Sequence, residues 1–361
     1  MPLQGLSAGV FASHLMARSG LSALLRRWRH GEACVLTFHG LREHESGAGL
    51  LDLACHSWAE HFRKLCLHLR KSYRVIAARE LVDALQMGEE VPERAVVLTF
   101  DDGYASNYHL ALQILHELDL PATIFVTTGY VDGAMLPWFV RLESALARSD
   151  KAELTLGREV LHLRNETERR EAYGLLCAEW KRQPHEQAMA WLADLERSLA
   201  VATAKVAELP PHLQPMTWDM CREMKAGGLA DFGGHTHTHP VLARMDEANQ
   251  RTELQNCAAR LKTELGAGGG LFAYPNGKQG DFGPGTLLEL KAAGFTAAFT
   301  MNEGLVQRAD ELLQLPRYGS PEDVVMLEAT ASGGVAYLQR AKAMLKPLPR
   351  NSHVSCGERP E

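Results

Sequence analysis

Two rhythms of apolar residues alternate along this chain. Short continuous apolar runs come between longer stretches in which apolar residues recur every three or four positions. The runs "ACVLTFH" (33–39), "YRVIA" (73–77), "RAVVLTF" (94–100) and "PATIFVTT" (121–128) predict strands. An uninterrupted run such as 94–100 suits a strand covered on both faces. "SWAEHFRKLCLHLRKS" (57–72) predicts a helix, with Trp58, Phe62, Leu65 and Leu69 on one stripe and Ser57 as its N-cap. "ARELVDALQMG" predicts a second helix, ended near Gly88. Residues 105–119 predict a third, through Leu110, Leu112, Ile114, Leu115 and Leu118.

The rhythm changes over 138–210, which is rich in Arg, Glu, Leu and Ala with almost no strand signal. This stretch reads as a helical insertion. The alternation resumes at 217. "TWDMCREMKAGG" is a helix with Thr217 as N-cap, "LADFGG" a short strand, and 246–265 a helix with Leu254, Ala258, Leu261 and Leu265 on one stripe. "LFAYP", "GTLLELKAAG" and "FTAAFT" continue as strand, helix and strand. "GAGGG" (266–270) precedes a strand, where a phosphate loop would follow one, and reads as a flexible connection. Repeated βα units predict an α/β fold built on a parallel sheet, open or closed into a barrel. The expected organisation is an N-terminal helical segment at 1–32, one domain over 33–345 carrying the 138–210 insertion, and a disordered tail over 346–361.

Composition narrows the classes. Of 361 residues, 46% are hydrophobic and 23% charged, an ordinary globular balance. A net charge of −6 gives no basic excess for nucleic acid. Seven Cys lie scattered without a C-x-x-C pair, which fits a reducing compartment better than a disulfide framework. The start "MPLQGLSAGVFASHLMARSG" lacks the layout of a signal peptide. Together these lead to a cytoplasmic expectation. Within the first segment, Leu24, Leu25 and Trp28 mix with Arg18, Arg26, Arg27 and Arg29. That pattern fits either a basic amphipathic helix on a membrane surface or a helix packed on the domain. Nothing implies a protein partner.

Candidate chemistry sits where such folds gather ligands, at the carboxyl ends of strands. "TFDDGY" follows the 94–100 strand, "GGHTHTHP" the 230–234 strand and "FAYPNG" the 271–274 strand. One helical turn after the glycines would put His235 and His239 on one face and His237 on the other. An extended stretch would align all three. Either way at least two imidazoles face a metal, and one aspartate completes a two-His, one-Asp set with positions left open. Adjacent Asp101 and Asp102 then become tolerable, one neutralised by the metal and one left as a general base.

These three motifs resemble the signatures of polysaccharide deacetylases with the NodB homology domain, carbohydrate esterase family 4, over roughly 33–130 and 215–320. The resemblance implies a distorted (β/α) barrel and a metal-dependent hydrolase that removes N-acetyl, in some members O-acetyl or formyl, groups from sugars. It implies Asp101 as base and Asp102, His235 and His239 as ligands to a divalent metal, usually zinc. Tyr274 aligns with a position whose backbone N–H helps hold the oxyanion. Two departures stand out. Ala273 occupies the place of an Arg that pairs with the base in the family, for which Arg317 in "LPRYGS" is the substitute candidate. The late L-x-x-x-H that supplies the acid has no match after residue 300, leaving His39 in "TFHG" and His237 as nearby imidazoles. The expected partner is an N-acetylated sugar or glycan. Two other readings stay open: a non-catalytic sugar-binding protein on the same fold, and a two-His, one-carboxylate Fe(II) oxygenase.

Overall fold

The computed structural model describes residues 21–43, 51–53, 55–266 and 270–344. The tail from 346, residues 1–20 and most of the 266–270 connection lie outside them. Strands run in the order β1 (Glu32–Phe38), β2 (Gly40–Arg42), β3 (His56–Trp58), β4 (Arg74–Ile76), β5 (Ala95–Asp102) and β6 (Ala122–Val126). They continue through β7 (Glu153–Leu156), β8 (Glu159–His162), β9 (Ala230–Gly234), β10 (Gly270–Ala273), β11 (Phe295–Phe299), β12 (Val306–Gln307) and β13 (Tyr318–Gly319).

Nine of these form one curled half-barrel sheet, ordered β11-β10-β9-β6-β5-β1-β12, with β13 also on β1 and β4 on β5. All pairings in it are parallel except β1 with β12. Strand alternation gives the sheet two apolar faces. Ala33, Val35, Val97, Phe125, Ala273 and Phe299 pack together on one. Cys34, Leu36, Leu98, Phe100 and Ile124 face the other, under Phe62 and Leu65 of the Ala59–Ser72 helix and Leu254 and Leu261 of the Glu247–Leu265 helix. Burying each such side chain is worth about 1.5–3 kcal/mol, which is why β1 and β5 read as unbroken apolar runs.

Several boundaries differ from those expected. Ser57 is no N-cap: it lies in β3, and the helix begins at Ala59 after Trp58. The 105–119 stretch starts as a π-turn (Asn107–Ala111) before becoming α-helical over Leu112–Leu118. The 138–210 stretch holds the helices Trp138–Arg148, Glu166–Arg182 and His185–Ser198, but also a β7–β8 hairpin turning at Gly157, φ 59°. It surrounds a cluster of its own that includes Leu142, Leu146, Leu176, Trp180 and Leu192. After β11 the chain adds β12, β13 and the helices Val324–Ala331 and Gly334–Met344, none of which periodicity marks.

The Leu21–Trp28 helix is held to the domain. Arg26 reaches Glu328 at 3.0 Å, and buried Arg29 donates to the Ala95 carbonyl at 2.8 Å. Two of the arginines counted toward a membrane surface are thus engaged internally. Leu24 and Trp28 stay exposed. Among the described residues no helix is long and apolar enough to cross a membrane.

Candidate active site

β5 ends at the Asp101–Asp102 pair in the middle of the sheet, with Asp101 beside Phe125 and Asp102 beside Val126 of β6. Strict alternation would send two adjacent side chains to opposite faces. Asp102 departs from it with φ 73°, a conformation uncommon for residues other than glycine. Gly103 follows at φ 87°, completing the reversal.

β9 ends in Gly233 and Gly234 because nothing larger fits. A Cβ at Gly233 would lie 2.6 Å from the Phe125 ring, and one at Gly234 would lie 2.8 Å from the Cys257 sulfur. The histidine loop after them is neither a helical turn nor extended. Thr236 (φ 64°) and His239 (φ 61°) are left-handed, and the His239 N–H donates to the Thr236 hydroxyl at 3.0 Å. Buried Glu253 accepts from the N–H groups of His237, at 2.6 Å, and Thr238. These bonds take the donors a helix would have used. His235 and His239 converge all the same.

Asp102, His235 and His239 are buried, and their ligand atoms all lie within 4.8 Å of one another. Asp102 Oδ1 lies 3.5 Å from His235 Nε2 and 3.3 Å from His239 Nε2, yet has no hydrogen-bond partner. Bonds of about 2.0–2.2 Å to a tetrahedral metal put ligand atoms about 3.3–3.6 Å apart. An orphaned carboxylate oxygen facing two ring nitrogens at that spacing fits a divalent cation, and N,N,O donors suit zinc. His235 Nδ1 is 2.7 Å from the Ala273 carbonyl, which orients the ring with Nε2 toward Asp102. Burial holds the His235 pKa down to about 4, against the pull of Asp101, so the ring is in its neutral, ligating form at neutral pH.

Arg317 stands fully buried against Asp101, with Nη1 and Nη2 each 2.8 Å from a carboxylate oxygen. The guanidinium also donates to the Thr99 hydroxyl and the Thr300 carbonyl, both at 3.2 Å. Burial alone would raise the Asp101 pKa, but Arg317 first, then His235 and His39, hold it below the usual carboxylate range. Asp102, equally buried, is held well below that range by His239, His39 and His235. Half-buried His39 stands just past β1, at the same end of the sheet as the two carboxylates.

The other candidates fall elsewhere. His237 is outside the three-residue cluster, with Nδ1 2.9 Å from the Thr128 hydroxyl. The expectation for Tyr274 is corrected: its N–H donates to the Phe299 carbonyl at 3.1 Å, so sheet pairing has taken the donor the oxyanion would need. Its ring stacks on Phe282 at 4.1 Å, and its hydroxyl donates to the Leu313 carbonyl at 2.8 Å. Three residues at the site escape a reading of motifs. Glu253 ties the histidine loop. Phe139, from the 138–210 stretch, sets its ring 4.8 Å from that of His239, edge-on. His56 packs 4.9 Å from the Tyr104 ring. No local pattern marks any of them.

The model of the family "Polysaccharide deacetylase" matches residues 88–298, more than half of the chain. The chain belongs to the polysaccharide deacetylase family. It is 23% identical over 298 residues to the poly-β-1,6-N-acetyl-D-glucosamine N-deacetylase of Escherichia coli (strain K12), covering 80% of this chain. The chain spans 37% of the length of that relative. Among solved structures it resembles the Streptococcus pyogenes deacetylase PplD in complex with acetate, at TM-score 0.55 and 19% identity, covering 84% of this chain and 99% of that one. IcaB from Ammonifex degensii superposes at TM-score 0.54 and 20% identity, covering 84% and 97%. These two likenesses show the fold, a (β/α) barrel of the NodB type.

Proposed function

We propose that this chain is a metal-dependent hydrolase that removes N-acetyl groups from a polymer of N-acetylated amino sugars, with poly-β-1,6-N-acetylglucosamine as the first candidate. The observation that carries the reading is the buried Asp102–His235–His239 cluster beside an Asp101 held in a two-bond Arg317 fork. The family supports the reaction class, and the name of the Escherichia coli relative supports the polymer.

Asp102, His235 and His239 would hold the metal. When bound there, zinc supplies a lowered pKa for water and polarisation of the acetyl carbonyl. Asp101 accepts the proton that water loses as its oxygen adds to that carbonyl. Arg317 keeps this carboxylate ionised and fixed in direction, leaving the oxygens' remaining lone pairs for the proton. His39, just past β1, donates a proton to the nitrogen as the C–N bond breaks. Acetate and the amino sugar are the products. The Asp101–Arg317 pair favours hydrolysis over oxygen activation, which has no need of a clamped carboxylate base.

The test is acetate release from a β-1,6-linked N-acetylglucosamine oligomer. Chelator-treated protein should be inactive and zinc should restore it. Equal activity with and without metal would remove the proposal.

A further inference from the structure

The two histidines that face Asp102 are supported differently. His235 donates from its outer nitrogen, Nδ1, to the Ala273 carbonyl at 2.7 Å. His239 also turns Nε2 toward Asp102, at 3.3 Å, but its Nδ1 is buried and has no hydrogen-bond partner among the described residues. A neutral imidazole that offers Nε2 to a metal carries its proton on Nδ1. Metal-ligating histidines almost always give that N–H to a carboxylate, a carbonyl or water, and the bond sets the direction of the ring. His239 has to be aimed by other means.

The backbone fixes only where the side chain starts. His239 is left-handed at φ 61°, and its N–H donates to the Thr236 hydroxyl at 3.0 Å. Neither settles rotation about the side-chain bonds. Phe139 bears on the ring itself. The two ring centroids lie 4.8 Å apart with their planes at 71°, the edge-to-face arrangement that aromatic pairs prefer. The His235 ring meets the same imidazole at 4.9 Å and 66°. His239 thus touches one fellow ligand and one residue of the 138–210 stretch.

Phe139 is itself held in place. It is buried, and it is the second residue of the Trp138–Arg148 helix. Trp138 stacks on Trp180 of the Glu166–Arg182 helix, with centroids 4.1 Å apart and planes at 6°. Arg141 meets both carboxylate oxygens of Glu196, on the His185–Ser198 helix, at 3.1 and 2.7 Å. Three helices of the insertion therefore determine where the Phe139 ring stands.

We propose that Phe139 is a positioning residue for the metal centre: by ring packing, in place of a hydrogen bond, it holds the His239 imidazole with Nε2 facing Asp102. The 138–210 stretch then has a task at the site, since it orients a ligand that the barrel leaves unsupported. This rests on the metal-site reading above.

The test is zinc affinity, by competition with a chelator, for the full-length wild type, Phe139→Ala, Phe139→Leu and Phe139→Tyr. The visible absorption of the cobalt(II)-loaded proteins, which reports ligand geometry, is recorded beside it. Phe139→Ala should weaken zinc about tenfold, the lower end of the roughly 10–100-fold cost of losing a group that orients a ligand, and should shift the cobalt bands. Phe139→Tyr keeps the ring and should restore most of the affinity and the wild-type bands. Phe139→Leu fills the space without a ring, so it serves if the alanine cavity unfolds the chain, and it should lie between. In a His239→Ala background Phe139→Ala should cost no further affinity, because the ring it positions is gone. A general weakening of the fold would add its loss there too. Affinity and cobalt bands that Phe139→Ala and Phe139→Leu leave unchanged overturn the positioning role, and so does an equal loss in the His239→Ala background. Zinc binding that His239→Ala itself leaves intact overturns the metal-site reading, and the proposal with it.

Discussion

Replacing Arg317 with Met is the sharpest perturbation of the site's electrostatics. Arg317 is 0% exposed, and its donors meet both oxygens of Asp101, the Thr99 hydroxyl and the Thr300 carbonyl. Met fills similar space but removes the charge and every donor. Breaking a buried ion pair from one side costs about 3–5 kcal/mol, because the remaining charge is left uncompensated. At about 2–4 °C per kcal/mol for a domain of a few hundred residues, Tm at pH 7 should fall by about 6–20 °C. The sign of the pH dependence adds a second reading. In the wild type the Asp101 pKa is depressed, so its pairing stabilises the fold above the unfolded carboxyl pKa and is lost as pH falls. Without Arg317, burial dominates and the pKa rises. The variant's deficit should then shrink as pH falls and grow as it rises. The acid limb of kcat/KM should move to higher pH, because the base must lose its proton to work. Arg317→Lys, with charge but no fork, should fall between the two. Thermal melts from pH 5 to pH 8 together with acetate release measure both effects. A Tm within about 2 °C of wild type and an unmoved acid limb would refute the electrostatic argument.

His39→Gln should keep its metal and lose kcat by a factor of about 10²–10⁴ on an amide substrate. The loss should be far smaller on an aryl acetate, whose leaving group needs no proton, and an equal loss on both would remove His39 as the acid. His239→Ala should weaken zinc binding by more than the roughly 10–100-fold typical of changes outside the ligand set, while His237→Ala should retain zinc, and calorimetry distinguishes the two. Glu143, buried and accepting from the Leu51 N–H at 3.1 Å, has its pKa pushed up by burial to about 8. Its folded pKa exceeds the unfolded one, so it costs the fold stability as pH rises from the ordinary carboxyl range up to about 8, and no further above that. Glu143→Gln should therefore melt progressively higher than wild type from pH 5 to pH 8 and hold a constant difference above that, and a pH-independent difference across pH 5 to pH 8 would contradict the assignment.

The legible parts of this chain are those whose determinants are local. β1, β5 and β6 show as apolar runs because both sheet faces are covered. Gly88 ends its helix with φ 68°, and Thr217 accepts from the Met220 N–H at 3.3 Å, both as their positions imply. Asp101, Asp102, His235 and His239 stand out because they crowd polar groups at strand ends, and the fold brings them together. Arg317 is visible only as a spare cation, since its pairing with Asp101 spans 216 residues. Phe139 lies in the separate 138–210 stretch, and Glu253, 16 residues from His237, bears no local mark of the bonds it makes, so their effects on the histidine loop need the tertiary structure. Tyr274 misleads because a motif aligns the residue but does not reveal that sheet pairing consumes its N–H. The 153–162 hairpin is obscured by four-residue strands inside a helix-rich stretch, and β12 and β13 are two residues long. Segments that short carry no period to read.

The central claim is that the Asp102 cluster holds the metal while Asp101 does proton chemistry beside it. The most direct measurement pairs zinc stoichiometry with mass-spectrometric counting of acetyl groups on a β-1,6-linked N-acetylglucosamine pentamer, for wild type, Asp101→Asn and Asp102→Asn. Wild type should bind one zinc and remove acetyl groups. Asp101→Asn should bind the same zinc and turn over about 10²–10⁴ times more slowly, with no recovery in excess zinc. Asp102→Asn should bind zinc weakly and recover part of its activity when zinc is raised. Zinc lost from Asp101→Asn and kept by Asp102→Asn would reverse the two roles, and full activity in both variants would contradict the account.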